Sequence, residues 1–343
     1  MKYLKTTLMV ILLSITLHAK DYSKQKEVKV FIEKMVKQHG FARWKLNKTF
    51  RNVAFQKRSL GIYNPKFREK PKVVRGKKKK VFPKYGSWTR YEKNLFSSEK
   101  IDLGIAFMRK HRAIFQKVYK EYGVPPEYVT AIIGVESRYG IKRGTYPVLD
   151  VLITLAFEEN RRNSFFKKEL ESFLIFTKAN KVNPKNVKGS YAGAIGLGQF
   201  MPSSYKHFAV DYDGNGKKTM QQVPDAIASV ANYLQKNGWK KWEPVAERVD
   251  FKGKRYHGKK TGYQYKYSQS ELKNLKTMYK WSYKEPVRLL KLERYRFDEL
   301  WFGATNFYVI TRYNHSVYYA MAVHQLAQKI KRGYKKKYGV VLR

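Results

Sequence analysis

The chain contains no cysteine, and that absence narrows its folds more than any motif it contains. Met1, Lys2 and Lys5 supply positive charge, Thr6 to Leu17 an apolar run and Ala19 a small residue for cleavage, which is the layout of a secretory signal peptide over residues 1–19. An exported chain without disulfides must be held by packing, helped at most by a bound ion. The composition allows this, since 343 residues that are 43% hydrophobic and 15% aromatic can bury a sizeable core and are too aromatic for wholesale disorder. The same absence removes thiol catalysis, cysteine metal sites and an acylated N-terminal cysteine. The apolar run is too short to span a bilayer and no later segment comes closer, so a mature chain from about Lys20 is expected to be exported and soluble.

Lysine and arginine number 72 against 26 acidic residues, a net charge of +46. Such a field attracts polyanions. For an exported chain, anionic wall polymers and envelope surfaces are the expected partners rather than nucleic acid, and no recognised nucleic-acid module is present. Solvated surface lysines account for part of the excess in any case.

Helical periodicity dominates the pattern. Val28, Phe31, Ile32 and Val36 share one helix face, closed by Gly40. Residues 64–86 carry three prolines, two glycines and the run Lys77 to Lys80, and read as a basic surface loop. A helical pattern runs from Ser97 to about Tyr122, with Gly123 as its stop and Pro125-Pro126 opening the next helix. Further helices are expected over 163–178, from Pro202, from Pro224 to Asn237, and through Tyr319, Val323, Leu326 and Ile330. Residues 246–285, with Val249, Phe251, Tyr256, Tyr263, Tyr265 and Tyr267 spaced by glycines, suggest short strands.

Within Pro125 to Gly140, Glu136 falls one turn after Ile132 and Ile133 and two turns after Val129. A carboxyl on the apolar stripe resists ionisation, as a general acid near neutral pH requires. The alternative is a buried glutamate paired with Arg138 or another cation. Further on, Gly193, Gly196 and Gly198 let the backbone pass close to a ligand or another helix, and Gln199 beside Phe200 and Met201 combines hydrogen bonding with an apolar wall. A tight packed turn explains the glycines equally well. Asp211-Tyr-Asp213-Gly-Asn215-Gly-Lys217 opens like an EF-hand loop, with Asp211, Asp213, Asn215 and the Lys217 carbonyl at alternate positions. Position twelve holds Gln222 rather than glutamate, so the loop would be closed by Asp225 at position fifteen. A metal-free turn is the alternative. Elbow serines, zinc-binding histidine pairs and phosphate loops are absent.

Together, Ile133-Gly-Val-Glu136-Ser, Gly196 to Tyr205, the Asp211 loop, Val230-Ala-Asn-Tyr233, Arg312 to Ser316 and Tyr319 to Val323 resemble the membrane-bound lytic murein transglycosylase B family. The resemblance implies a mainly α (α+β) fold, a lysozyme-like helical core with a second helical lobe, an elongated EF-hand-like loop and a small β lobe. The expected layout is an N-terminal helical lobe over 20–125 with 300–343 packing on the helical part, a catalytic core over 126–245 and a β-containing lobe over 246–299. By motif position Glu136 matches the family's catalytic acid and base. Ser190, Gln199, Tyr233, Tyr313, Asn314 and Tyr319 match cleft residues, with Arg161, Arg162 and Tyr91 as further substrate contacts. The loop 211–225 would hold structural calcium or sodium, and no cofactor is implied for catalysis.

The implied reaction is non-hydrolytic cleavage of the MurNAc-β-1,4-GlcNAc bond of peptidoglycan to 1,6-anhydroMurNAc ends, by one glutamate with help from the substrate's N-acetyl group. The implied partners are glycan strands, other wall enzymes and anionic envelope surfaces, and the protein is expected as a periplasmic monomer. Family members of this kind are often lipid-anchored, whereas this chain has no cysteine to acylate. A lysozyme-type hydrolase on the same scaffold and a non-catalytic wall-binding scaffold are the competing readings.

Overall fold

A computed structural model describes residues 19–68, 83–93 and 95–343. Residues 1–18, where the signal peptide is expected, and residues 69–82 of the basic segment lie outside the described residues. The elements in chain order begin with β1 (Ala19–Lys20), α1 (Lys26–His39), α2 (Arg43–Arg51), β2 (Val53–Ala54), α3 (Lys57–Tyr63), α4 (Ser87–Glu92), α5 (Ser98–Lys110), α6 (Arg112–Tyr122) and α7 (Pro126–Ser137). They continue with β3 (Tyr146–Pro147), α8 (Val148–Phe157), α9 (Asn163–Ala179), β4 (Lys188–Gly189), α10 (Pro202–Phe208), α11 (Val223–Lys236), β5 (Ala246–Asp250), β6 (Lys276–Thr277), β7 (Arg288–Glu293), β8 (Asp298–Gly303), α12 (Thr305–Tyr313) and α13 (Val317–Tyr338).

The chain divides into two compact units. The smaller combines residues 19–68 with Leu149–Glu171. Its core follows from the α1 face noted above: Val28, Phe31, Ile32 and Met35 are buried. Phe31, Phe50 and Phe157 meet edge to face at 5.7 to 6.0 Å, the arrangement that aromatic quadrupoles favour. β1 pairs antiparallel with β2, Ala19 opposite Ala54.

In the larger unit, residues 83–148 and 172–343, α7 lies at the centre. Its apolar residues leave it no wet face, and ten of its twelve residues are buried. α5, α6, α11 and α13 pack around it, contributing Met108, Phe115, Ile227, Ala231, Ala322, Val323 and Leu326 to one core. A four-stranded antiparallel sheet of order β6-β5-β8-β7 forms a second core, in which Val249, Leu289, Leu300 and Phe302 are covered by Leu272, Tyr283 and Val287.

Two sequence expectations need correction. The run from Ser97 to Tyr122 is two helices, because His111 leaves helical geometry at φ −108°, ψ 23°. No proline or glycine marks that break. The range 246–285 does hold two short strands, β5 with Val249 and β6, but the tyrosine-rich stretch between them is mostly turns: of its aromatics from 256 to 267, only Tyr267 pairs, in a single bridge to Val287. Glycines at 253 and 262 take positive φ there, which interrupts any ladder. The main ladder comes later, where Arg288-Leu-Leu-Lys-Leu-Glu293 pairs with Asp298–Gly303.

Candidate active site

Glu136 occupies the last turn of α7, which ends at Arg138 and Tyr139, both in the left-handed region. The side chain is half-buried: protein surrounds the carboxyl on most sides without sealing it from solvent. Burial is the main cause that pushes its pKa up to about 7. The Tyr319 hydroxyl, which donates to Oε1 at 2.6 Å, and the positive charge of Lys100 act in the opposite direction. The alternative of an Arg138 pair fails, because Arg138 is bonded to Glu99.

Tyr319, on α13, stacks nearly parallel to Tyr313 at 6.4 Å and 10°. Burial first, then the nearby Glu136 charge, holds both phenols well above their ordinary pKa, so both remain donors. The Tyr313 hydroxyl donates to the Gly198 carbonyl at 2.5 Å. A Cβ on Gly198 would come within 2.4 Å of Met220 Cε and 2.8 Å of Tyr313 Oη, so any larger residue would have to displace the Met220 methyl and press on the Tyr313 hydroxyl. Tyr233 meets Tyr313 at 4.8 Å and donates to the Arg312 carbonyl at 2.6 Å. Phe200 touches both rings. The structure therefore joins Glu136, Tyr319, Tyr313, Tyr233 and the Gly198–Phe200 turn into one aromatic wall beside a buried acid.

The other sequence candidates stand differently. Gln199 has φ 50° and spends its amide on the Gly196 and Arg143 carbonyls at 2.7 and 3.1 Å. Ser190 Oγ accepts from the Ala192 and Ala194 amides, which leaves its own proton to donate. It starts the turn that carries Gln199. Asn314, exposed, directly follows Tyr313 at the end of α12. Tyr91, on α4, stacks on Trp88 at 5.8 Å, and its phenol is raised by burial and then by the Glu136 charge, so it lies within that carboxyl's field. Arg161 and Arg162 belong to the smaller unit and are exposed, with Arg162 over the Phe165 ring at 4.0 Å. Lys100 was not anticipated. Its ammonium is pulled down by burial, then by Arg138, while Glu136 pulls it up. No local motif marks it, since its nearness to Glu136 depends on how α5 packs on α7.

In the acidic loop, Asp211, Asp213 and Asp225 each place a carboxylate oxygen within 4.8 Å of the others. Backbone amides preset this arrangement: Asp211 accepts from Asn215 and Gly216, Asp213 from Asn215, and buried Asp225 from Tyr212 and Thr219, at 2.8 to 3.2 Å. Asn215 Oδ1 accepts from the Lys217 amide at 2.9 Å. Desolvation first, and later the neighbouring Asp213, raise the Asp225 pKa. Hard oxygen donors this close suit calcium.

A lysozyme-like fold with an acid half-sunk in an aromatic wall defines a class of glycan-cleaving enzymes. Residues 23–328 match the model of the transglycosylase SLT domain. The chain is 38% identical to the membrane-bound lytic murein transglycosylase B of Escherichia coli over 312 residues, 90% of this chain and 84% of that protein. The Escherichia coli lytic transglycosylase SLT35 superposes with TM-scores of 0.83 in complex with bulgecin A and 0.81 in complex with calcium, at 35% identity over 94% of this chain and 98% of that one. SltB3 of Pseudomonas aeruginosa, solved with NAG-anhNAM-pentapeptide, matches at TM-score 0.71 and 26% identity over 89% of this chain and 78% of that one. The chain thus belongs to the SLT-domain lytic transglycosylases, enzymes that cleave peptidoglycan by transglycosylation.

The raised carboxyl has a stability signature. An unfolded glutamate ionises near its ordinary value of about 4.3, whereas native Glu136 does so at about 7. Between these values the native state holds a proton that the unfolded state has lost, so stability falls as pH rises, by up to about 3 kcal/mol. Glu136→Gln, neutral throughout, should match the parent in urea unfolding at pH 4 and exceed it at pH 8. An equal gap at both pH values would contradict the burial of this carboxyl.

Proposed function

We propose that Glu136 is the single acid and base of the reaction. The observation that carries this reading is its half-buried carboxyl, ionising at about 7 and held through Oε1 by Tyr319. With Oε1 engaged, Oε2 carries the proton. Glu136 donates it to the glycosidic oxygen between MurNAc and GlcNAc as the bond to MurNAc C1 breaks, and the GlcNAc leaves with a 4-hydroxyl. The carbonyl oxygen of the MurNAc N-acetyl group stabilises the cation developing at C1. Glu136, now a carboxylate, takes the proton of the MurNAc 6-hydroxyl, whose oxygen bonds to C1 and closes the 1,6-anhydro ring. The acid is regenerated and no water is consumed.

The Ser190 proton and the Asn314 amide are suited to orient the N-acetyl group, and Tyr313, Tyr319, Tyr233 and Tyr91 to line sugar faces. Gln199 shapes the turn beneath them. Arg161 and Arg162 are proposed to meet carboxylates of the strand. The Lys100 charge favours the carboxylate state of Glu136, which assists its proton donation in the first step. The substrate lies in the cell wall, and we place the protein in the periplasm. No described helix is long and apolar enough to cross a membrane.

Glu136→Gln is expected to abolish release of anhydromuropeptides from purified sacculi while leaving sacculus binding intact. Mass spectrometry of the digest separates this chemistry from hydrolysis, whose products are heavier by one water. Anhydro products from the variant, or reducing MurNAc ends from the parent, would contradict the assignment.

We further propose that Asp211, Asp213, Asn215, Asp225 and the Lys217 carbonyl hold a structural calcium ion, with sodium as the weaker competitor for the same loop. When bound, the ion would offset most of the charge of three clustered carboxylates and fix the entry to α11. Calcium should raise the melting temperature of the parent, EDTA should reverse this, and Asp225→Asn should remove the response. A melting temperature insensitive to calcium would exclude the ion.

A further inference from the structure

A cavity of about 680 Å3 opens in the larger unit at the opposite end of α7 from Glu136. Glu127 and Tyr128, in the first turn of α7, line it, and Glu136 follows nine residues later, about 14 Å along the helix axis. None of the cleft residues named above contributes to its wall. Its volume lies in the range of ligand sites.

The lining is unusual for a surface that only folds. Trp242 is 79% exposed and has φ 70°. A non-glycine residue in the left-handed region is strained by about 1 kcal/mol or more, and an indole left in water gains little from burial to offset it. Lys241 holds its ammonium 5.1 Å from the Trp242 ring and 5.3 Å from that of Tyr119, and the two rings meet edge to face at 6.1 Å. Tyr279, 72% exposed, presents a second open ring at the same cavity. The floor is polar and prearranged: Gln328 donates to the Tyr128 hydroxyl at 3.1 Å, and that hydroxyl lies 2.9 Å from His324 Nδ1. The half-buried Gln325 side chain also lines this wall.

Open aromatic rings suit the C–H faces of sugar rings. The Gln325 amide, which can both donate and accept, suits a hydroxyl or an N-acetyl group. Lys329 and Arg332 at the wall suit carboxylates, while Lys331 is paired with Glu127 at 3.8 Å. One chemistry combines all three demands, an amino-sugar polymer bearing acidic groups. We propose that this cavity is a second binding site for the peptidoglycan strand, separate from the cleft at Glu136, through which the enzyme holds the wall while the cleft cuts it.

The test uses the full chain and purified sacculi. Trp242→Gly removes the ring and relieves the positive φ, and Tyr279→Ala removes the second ring. In a Glu136→Gln background, which leaves sacculi undigested, each substitution should lower sacculus affinity about fivefold or more, the loss expected for an aromatic anchor. Binding is read at about 0.3 M salt, which screens the general attraction of a basic protein. With Glu136 intact, the same substitutions should leave turnover of short soluble glycan strands unchanged and should not lower the melting temperature. Undiminished sacculus affinity, as expected if the cavity takes a protein partner instead, would overturn the proposal. So would a fall in affinity matched by a fall in short-strand turnover or melting temperature, since the rings would then act through the cleft or the fold. Short-strand turnover reports on the cleft alone, so the second site and the role of Glu136 fail separately.

Discussion

The structure turns on a carboxyl that its surroundings would rather keep uncharged. α7 is apolar on every side and surrounded by four other helices, so a glutamate in its last turn meets little water. It also sits at the C-terminal end of the helix, where the backbone dipole is negative and disfavours a second negative charge. One phenol and one ammonium limit the effect: without Tyr319 and Lys100 the carboxyl would rise still further. The balance settles at about 7, where a single group passes readily between acid and base.

That balance explains why so many tyrosines converge on one place. Tyr319 reaches Glu136, Tyr313 stacks on Tyr319 and is anchored to Gly198, and Tyr233 braces Tyr313 from α11. Each ring is fixed by a hydroxyl bonded to a carbonyl or carboxyl, so the wall is rigid before any sugar arrives. The glycine turn serves this wall directly, since a side chain at Gly198 would crowd the Tyr313 hydroxyl at 2.8 Å.

Much of this was legible in the sequence, for identifiable reasons. The apolar stripe ending in Glu136 needs only helical spacing, and the acidic loop needs only its alternating oxygens. The partners of those groups lie across the chain: Lys100 comes from a helix packed 36 residues away in sequence, and the capture of Arg138 by Glu99 depends on the same packing. The break at His111 has no local signal, because neither proline nor glycine enforces it. The strands at 288–303 are short and half charged, and were overshadowed by the tyrosine-rich run before them, where glycine turns prevail over β-forming side chains. The cavity beside Trp242 was invisible for a related reason: exposure and backbone strain at a tryptophan belong to the fold and leave no pattern along the chain.

The most direct test is the ionisation of Glu136 itself. The infrared difference spectrum between the parent and Glu136→Gln isolates one carboxylic C=O band, whose loss can be followed with pH. The account predicts that this band persists at pH 6 and disappears with a midpoint at about 7. A midpoint near 4.3, the ordinary value for a solvated glutamate, would contradict it.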